Sequence, residues 1–371
     1  MKIKDYIFKF IFIRRQIMKK KLLILVFLLF GIMVIGNIQI TAQESIKLDL
    51  PQAVEMALVN NLEFQKAGYQ LKNAEIDAKR NEAENLLTQS NLLERQNELL
   101  LIQGKEQYQQ KKEDLIIQVV DEYLQLKSAQ KDLQVKEKGL ELEKNTLEDI
   151  KVQAKAGYKV ELDVLEQSNE YYDALFSFES AKLDYQQLLG NFRVTLGLNS
   201  KSQFELVVIN TLDFKEIELN EALQKGRQNS VALQMNKLEI DLTSLELEKS
   251  KVSDTPEIDL NELQNNLAMT NLDYQIAQQN LDYQIQSQWQ NYVQTKNDIT
   301  LSQNSLNQIK ENKTIISNQV KAGLASEDEE LSAIIGVLEA EYRIASSVRN
   351  YYNALLNLQS IMGNLNKGDI Q

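Results

Sequence analysis

The sequence repeats itself at an interval of 166 residues, and a duplicated unit must fold twice in the same way. Lys155-Ala156-Gly157 recurs as Lys321-Ala322-Gly323. At the same offset Tyr123 meets Trp289, Ala174 meets Ala340, Tyr185 meets Tyr351, Leu189 meets Leu355 and Gly197 meets Gly363. Upstream, Leu50-Pro51-Gln52-Ala53 aligns with Leu219-Asn220-Glu221-Ala222 at an offset of 169, so three residues are lost within the second copy. Chance matching of common residues such as Leu accounts for part of this, but not for glycine-marked turns and aromatics held in register.

Within each copy the pattern predicts helices far longer than the usual 11 to 12 residues. The chain has two prolines, Pro51 and Pro256, and its intervening stretches are rich in Leu, Gln, Glu, Lys and Ala. Residues 91–155 and 257–321 read as two nearly continuous helices, each roughly 95 to 100 Å long by helical rise. Along the first, Val119, Leu126, Leu133, Leu140 and Leu147 recur every seven residues, as one seam position of a coiled coil does or as a single buried stripe of a bundle would. The second copy repeats the stripe as Ile285, Tyr292, Ile299 and Leu306, with Lys313 in fifth place.

A short helix over 51–60, a medium helix over about 62–87 and a break at Thr88-Gln89-Ser90 precede the first long helix. A glycine-led reversal at Ala156-Gly157-Tyr158 and a returning helix over about 159–196 follow it. The medium and returning helices together match the long helix in length and can stack end to end along it. In the second copy the break is Ser253-Asp254-Thr255-Pro256, read as a cap before Pro at the first helical position. Phe204 to Ile209 is the one convincing strand signal. The organisation is a first repeat over 46–198, a connector over 199–216, a second repeat over 217–364 and a tail over 365–371. The fold class is all-α.

Composition removes most chemistry. The 371 residues include no Cys and no His, which excludes Ser-His-Asp triads, Cys nucleophiles and His- or Cys-ligated zinc. No catalytic, cofactor or metal site is expected. Residues 1–42 run from Lys19-Lys20-Lys21 through the apolar stretch Leu22 to Ile35 to Thr41-Ala42, and read as a signal peptide or N-terminal membrane anchor that directs export. Beyond Ala42 stand 33 basic and 52 acidic residues, a net charge of −19. Such a surface disfavours nucleic acid and anionic lipid.

The order of these features resembles the TolC family of outer-membrane efflux proteins, over about residues 46–364. The resemblance rests on Leu50-Pro51-Gln52-Ala53-Val54 to Asn60-Asn61, on the Gly157 turn with Asp163-Val164-Leu165, on the helix end from Leu188 to Leu198 that closes on Gly197, and on their second-half equivalents. It implies a homotrimeric, hollow α-helical cylinder in the cell envelope, periplasmic or outer-membrane associated. It further implies a passive conduit that works with a periplasmic adaptor protein and an inner-membrane transporter. The reversals carrying Lys155, Gly157, Lys321 and Gly323 would be the tips that meet the adaptor, although any helical hairpin needs such terminators. Asp163 and Glu329, each six residues after its tip glycine, hold the place of the constricting carboxylates. Glu327-Asp328-Glu329-Glu330 would crowd such a ring with charge, yet acidic residues favour any helix N-terminus, and Ser332 stands where a partner carboxylate is expected.

The sequence departs from the family where barrel strands are inserted, at the break between medium and long helix. Neither break has room for a strand pair or the alternating pattern that a membrane strand requires. The expectation is a helical cylinder without its barrel. A coiled-coil structural or adaptor-like envelope protein without a channel is the alternative. Tyr171, Tyr172, Tyr351, Tyr352 and Trp289 are read as packing knobs more readily than as a ligand face.

Overall fold

Two helices of 65 residues each, Asn91–Lys155 and Glu257–Lys321, dominate the computed structural model, which describes residues 46–207, 214–363 and 365. In chain order the elements are β1 (Ile46–Leu48), α1 (Leu50–Asn60), α2 (Leu62–Thr88), α3 (Asn91–Lys155), α4 (Glu161–Thr195), β2 (Phe204–Leu206), α5 (Leu219–Asn229), α6 (Val231–Val252), α7 (Glu257–Lys321) and α8 (Glu327–Ile361). The two long helices match the sequence expectation, and the returning helices α4 and α8 have 35 residues each. The expected targeting segment over 1–42, the last two residues of the expected strand and the tail beyond Leu365 lie outside the described residues. Leu365, assigned to the tail, is instead buried in the core.

Polar caps set the helix ends. Asp49 accepts the Gln52 N–H at 2.8 Å while the Gln52 side chain accepts the Asp49 N–H at 3.1 Å, a reciprocal box that starts α1 just ahead of Pro51. Asn61 starts α2 by accepting the Phe64 N–H, and Ser230 starts α6 by accepting that of Leu233. The break after α2 is only Gln89 and Ser90, with Gln89 in the left-handed region at φ 46°. Asn85 ties both strands of this turn by accepting the Ser90 N–H at 2.9 Å and donating to the Ser90 carbonyl at 3.0 Å. At the second break the expected capping arrangement is corrected. Pro256, at φ −57° and ψ 143°, stands before the helix without a side-chain cap, and Glu257 is the first helical residue.

The medium and returning helices do stack end to end. Asn61, at the start of α2, donates from Nδ2 to the Thr195 carbonyl at the end of α4. Asn229, at the end of α5, donates in the same way to the Met362 carbonyl just past α8. Gly197 and Gly363 close the two joints at φ 67° and 62°. A Cβ on Gly197 would lie 2.5 Å from the Asn60 carbonyl oxygen, so the joint admits only glycine. The missing three residues of the second copy fall before its long helix, where α6 is five residues shorter than α2, at 22 against 27, and the break after it two residues longer.

Helix α3 packs against α4 and α2 on one side and α8 and α6 on the other, while α7 packs against α8 and α6. The rods therefore lie in the order α4, α3, α8, α7 towards the tips and α2, α3, α6, α7 towards the breaks. The core sits where α1, α5 and the two-stranded sheet β1–β2 cover the long helices. Tyr123 is fully buried there and donates to both the Leu48 and Val207 carbonyls. Its counterpart Trp289 donates from Nε1 to the Ile217 carbonyl.

Candidate functional site

The tips are built by the same local rule twice. At the end of α3, Gly157 takes φ 82° and the Tyr158 N–H reaches back to the Gln153 carbonyl. At the end of α7, Gly323 takes φ 71° and the Leu324 N–H reaches the Gln319 carbonyl. Lys155 and Lys321 occupy the last turns, where a cation complements the helix dipole. Tyr158 and Leu324 protrude at 83% and 80% exposure. Asn145 near the end of α3 donates to Asp328 at the start of α8, so both reversals lie at one end of the rods.

Near these tips Asp163 is half-buried and Glu329 is exposed, and both carboxylates are engaged. Asp163 accepts the Val160 N–H at 3.0 Å, and Glu329 accepts the Ser326 N–H at 2.7 Å, each closing the first turn of its helix. Two more carboxylates of the acidic run are drawn inward, while Glu327 stays exposed. Asp328 accepts from Asn145, while Glu330 accepts from the Ser317 hydroxyl and pairs with Lys313 at 3.8 Å. Lys313, the departure from the apolar stripe, is thereby explained: it meets Glu330 across the α7–α8 seam. Ser332 bonds to its own helix at the Asp328 carbonyl. Among the described residues no three carboxylates converge on a point that could hold a metal ion.

Across the middle of the rods, α3 and α8 each present two faces. Tyr123 and Tyr351 are buried on the side covered by the sheet and the segment carrying Phe214. About 200° round the helix from each, two residues away at roughly 100° per residue, stand Asp121 on α3 and Arg349 and Asn353 on α8. Asp114, Gln118 and Asn357 join them in a polar groove. Arg349 and Asn353 both donate to Asp121. Burial pushes the Asp121 carboxyl up, but the guanidinium and the amide outweigh it and hold the carboxyl below the ordinary carboxylate range.

The lateral edges are apolar. On α2, Leu62, Tyr69 and Ile76 recur every seven residues. On α4, Leu162, Leu165, Tyr172, Phe176 and Leu183 follow a three-and-four spacing, as do Met269, Leu272, Ile276 and Tyr283 on α7. All are exposed. Sequence reasoning singled out the seven-residue stripes of α3 and α7 and did not identify these open edges. Their spacing was the available signal, masked because the buried stripe has the same period. Of the aromatics read as knobs, Tyr351 and Tyr352 are buried and Trp289 is half-buried, whereas Tyr172 stands on the open edge.

No family model matches the sequence, and no curated protein matches it. Solved structures do. The outer-membrane channel CmeC of Campylobacter jejuni superimposes with a TM-score of 0.64 at 12% identity, over 86% of this chain and 88% of that one. VceC, an outer-membrane protein of Vibrio cholerae, gives 0.60 at 10% identity, over 85% and 96%. The outer-membrane channel OprN gives 0.61 at 15% identity, over 85% and 90%. The fold is TolC-like. Within this TolC-like unit the breaks after α2 and α6 are turns, as the sequence indicated, and among the described residues no strand stands at either one. Nor is any described helix long and apolar enough to cross a membrane.

Proposed function

We propose that this chain is a subunit of a passive envelope conduit, a homotrimer whose α-helical wall encloses a polar passage. The observation that carries the reading is the pair of unpartnered apolar edges, α2 with α4 on one side and α7 on the other. A heterologous contact of one edge with the other leaves no end free when it closes into a ring. Each square ångström of apolar surface so covered contributes roughly 25 cal/mol. Three copies, each with four rods abreast, make such a wall in the TolC-like architecture. The groove of Asp114, Gln118, Asp121, Asn353 and Asn357, on the side away from the sheet, then faces inward as a wettable lining.

In this reading the tips carrying Lys155, Gly157, Lys321 and Gly323 meet a periplasmic adaptor protein, which couples the tube to an inner-membrane transporter that supplies the energy. Protruding Tyr158 and Leu324 are suited to such a contact. Asp163 and Glu329 narrow the tip end while also closing their helices. The chain works in the envelope after export, without catalysis or cofactor. The test is sedimentation of the purified protein at micromolar concentration together with transport in cells lacking the natural gene product. A trimer that restores efflux supports the conduit. A monomer removes it and favours a coiled-coil scaffold without a channel.

A further inference from the structure

We propose that the groove between α3, α4, α8 and β2 binds an amphipathic monocarboxylate. The groove encloses a cavity of about 510 Å³, within the roughly 300 to 1,000 Å³ of small-molecule sites. Its apolar wall combines Leu124 from α3, Tyr185 and Leu189 from α4, Phe204 from β2, and Ile344 and Val348 from α8, with the amides of Gln130 and Gln134 beside them. Its polar end holds Lys127 and Lys131, with Glu341 opposite.

The charges there are not equivalent. Lys131 donates to Glu341 at 2.8 Å, and Lys310 approaches the other oxygen of that carboxylate at 3.5 Å. Burial pushes the Glu341 carboxyl up, but the two ammonium groups override it and keep the carboxyl low. Glu341 and Lys131 are thus committed to each other. Lys127 has no ion pair among the described residues: it donates to the Leu206 carbonyl at 2.7 Å, and an ammonium has three donors. Burial pushes its pKa down, and Lys131 adds to the effect. The acidic group acting on it is Glu205, which lies exposed on β2. A single carboxylate placed against half-buried Lys127 would accept from its other donors. A dianion would instead meet Glu205 and Glu341, so the site selects one negative charge with an apolar body.

The groove joins the first repeat, through α3, α4 and β2, to the second, through α8. It lies between α4 and α8 over α3, on the side of β2 and not on the α7 edge, and its test is separate from that of the conduit reading.

Equilibrium dialysis of radiolabelled octanoate against the full chain tests it, with octanol as the uncharged counterpart. One saturable site per chain is expected, with octanol at least tenfold weaker. Lys127→Gln should weaken octanoate about tenfold or more. Ala345→Trp, which fills the groove from α8, should abolish binding. Absence of saturable binding overturns the proposal. So does octanoate binding to Ala345→Trp as tightly as to the natural chain, whatever the behaviour of the Lys127 variant.

Discussion

Arg349 grips Asp121 through two parallel bonds of 2.7 Å, from Nε to Oδ1 and from Nη2 to Oδ2, and so ties the second repeat to the first. The pair is partly buried, with side chains 32% and 27% exposed, and Asn353 adds a third donor to the same carboxylate. Planar bidentate pairing of this kind is stronger than a point-charge contact.

Asp121→Asn should therefore cost about 1 to 3 kcal/mol at neutral pH. The folded-state pKa of Asp121 is depressed. Its contribution is then complete above the unfolded value of about 3.9 and disappears as pH falls through the lower folded value. Urea titrations followed by helical circular dichroism should show the cost of the substitution shrinking below about pH 4. A cost equal at both pH values would mean that the charge of Asp121 is not what ties the repeats.

Among the described residues, the four positive-φ glycines divide by what surrounds them. Gly197→Ala combines left-handed backbone with a Cβ 2.5 Å from the Asn60 carbonyl oxygen, so it should cost well over the roughly 1 to 2 kcal/mol of φ alone. Gly157→Ala meets nothing within 4 Å and should cost no more than that backbone strain. Thermal melts of the two variants check the order, and equal losses would contradict the end-to-end joint of α4 with α2.

The repeat, the 65-residue helices and the glycine turns were legible because each rests on local rules: absence of proline, capping residues, and a conformation that glycine tolerates best. The Asp121–Arg349–Asn353 tie was not, since its partners lie 228 and 232 residues apart and only packing of α3 on α8 joins them. The engagement of Glu330 with Lys313 was hidden for the same reason. The acidic run could be counted in the sequence, but the direction of each carboxylate depends on the neighbouring helix.

The open edges make a separate prediction about assembly. Phe176 on α4 is 76% exposed and Tyr283 on α7 is 73% exposed, so a charge at either costs the isolated protomer little. Within a closed ring it would bury an unpaired charge at the interface, at several kcal/mol. Phe176→Glu and Tyr283→Glu should each shift the protein to monomer in sedimentation while leaving circular dichroism and the melting curve of the protomer nearly unchanged. Trimers persisting in both variants would place the interface elsewhere.

The tip carboxylates can be separated into two roles by the same substitutions. As closers of the first helical turn, Asp163 and Glu329 each accept a backbone N–H, at 3.0 and 2.7 Å, and stand at the positive end of a helix dipole. Asp163→Asn and Glu329→Gln keep an acceptor oxygen but lose the charge, so each should cost no more than about 0.5 to 1 kcal/mol, with loss of protection confined to the first turn of α4 or α8 in hydrogen exchange. In the proposed trimer the same residues would stand in three copies at one end of the tube, where their charge would attract cations. In equilibrium dialysis of the assembled protein against a radiolabelled cation and a radiolabelled anion, the double variant should then lose most of its preference for cations over anions, while each single variant retains part of it. An unchanged preference, with the local exchange still altered, would assign Asp163 and Glu329 to helix closure alone and leave the conduit reading without its charged constriction.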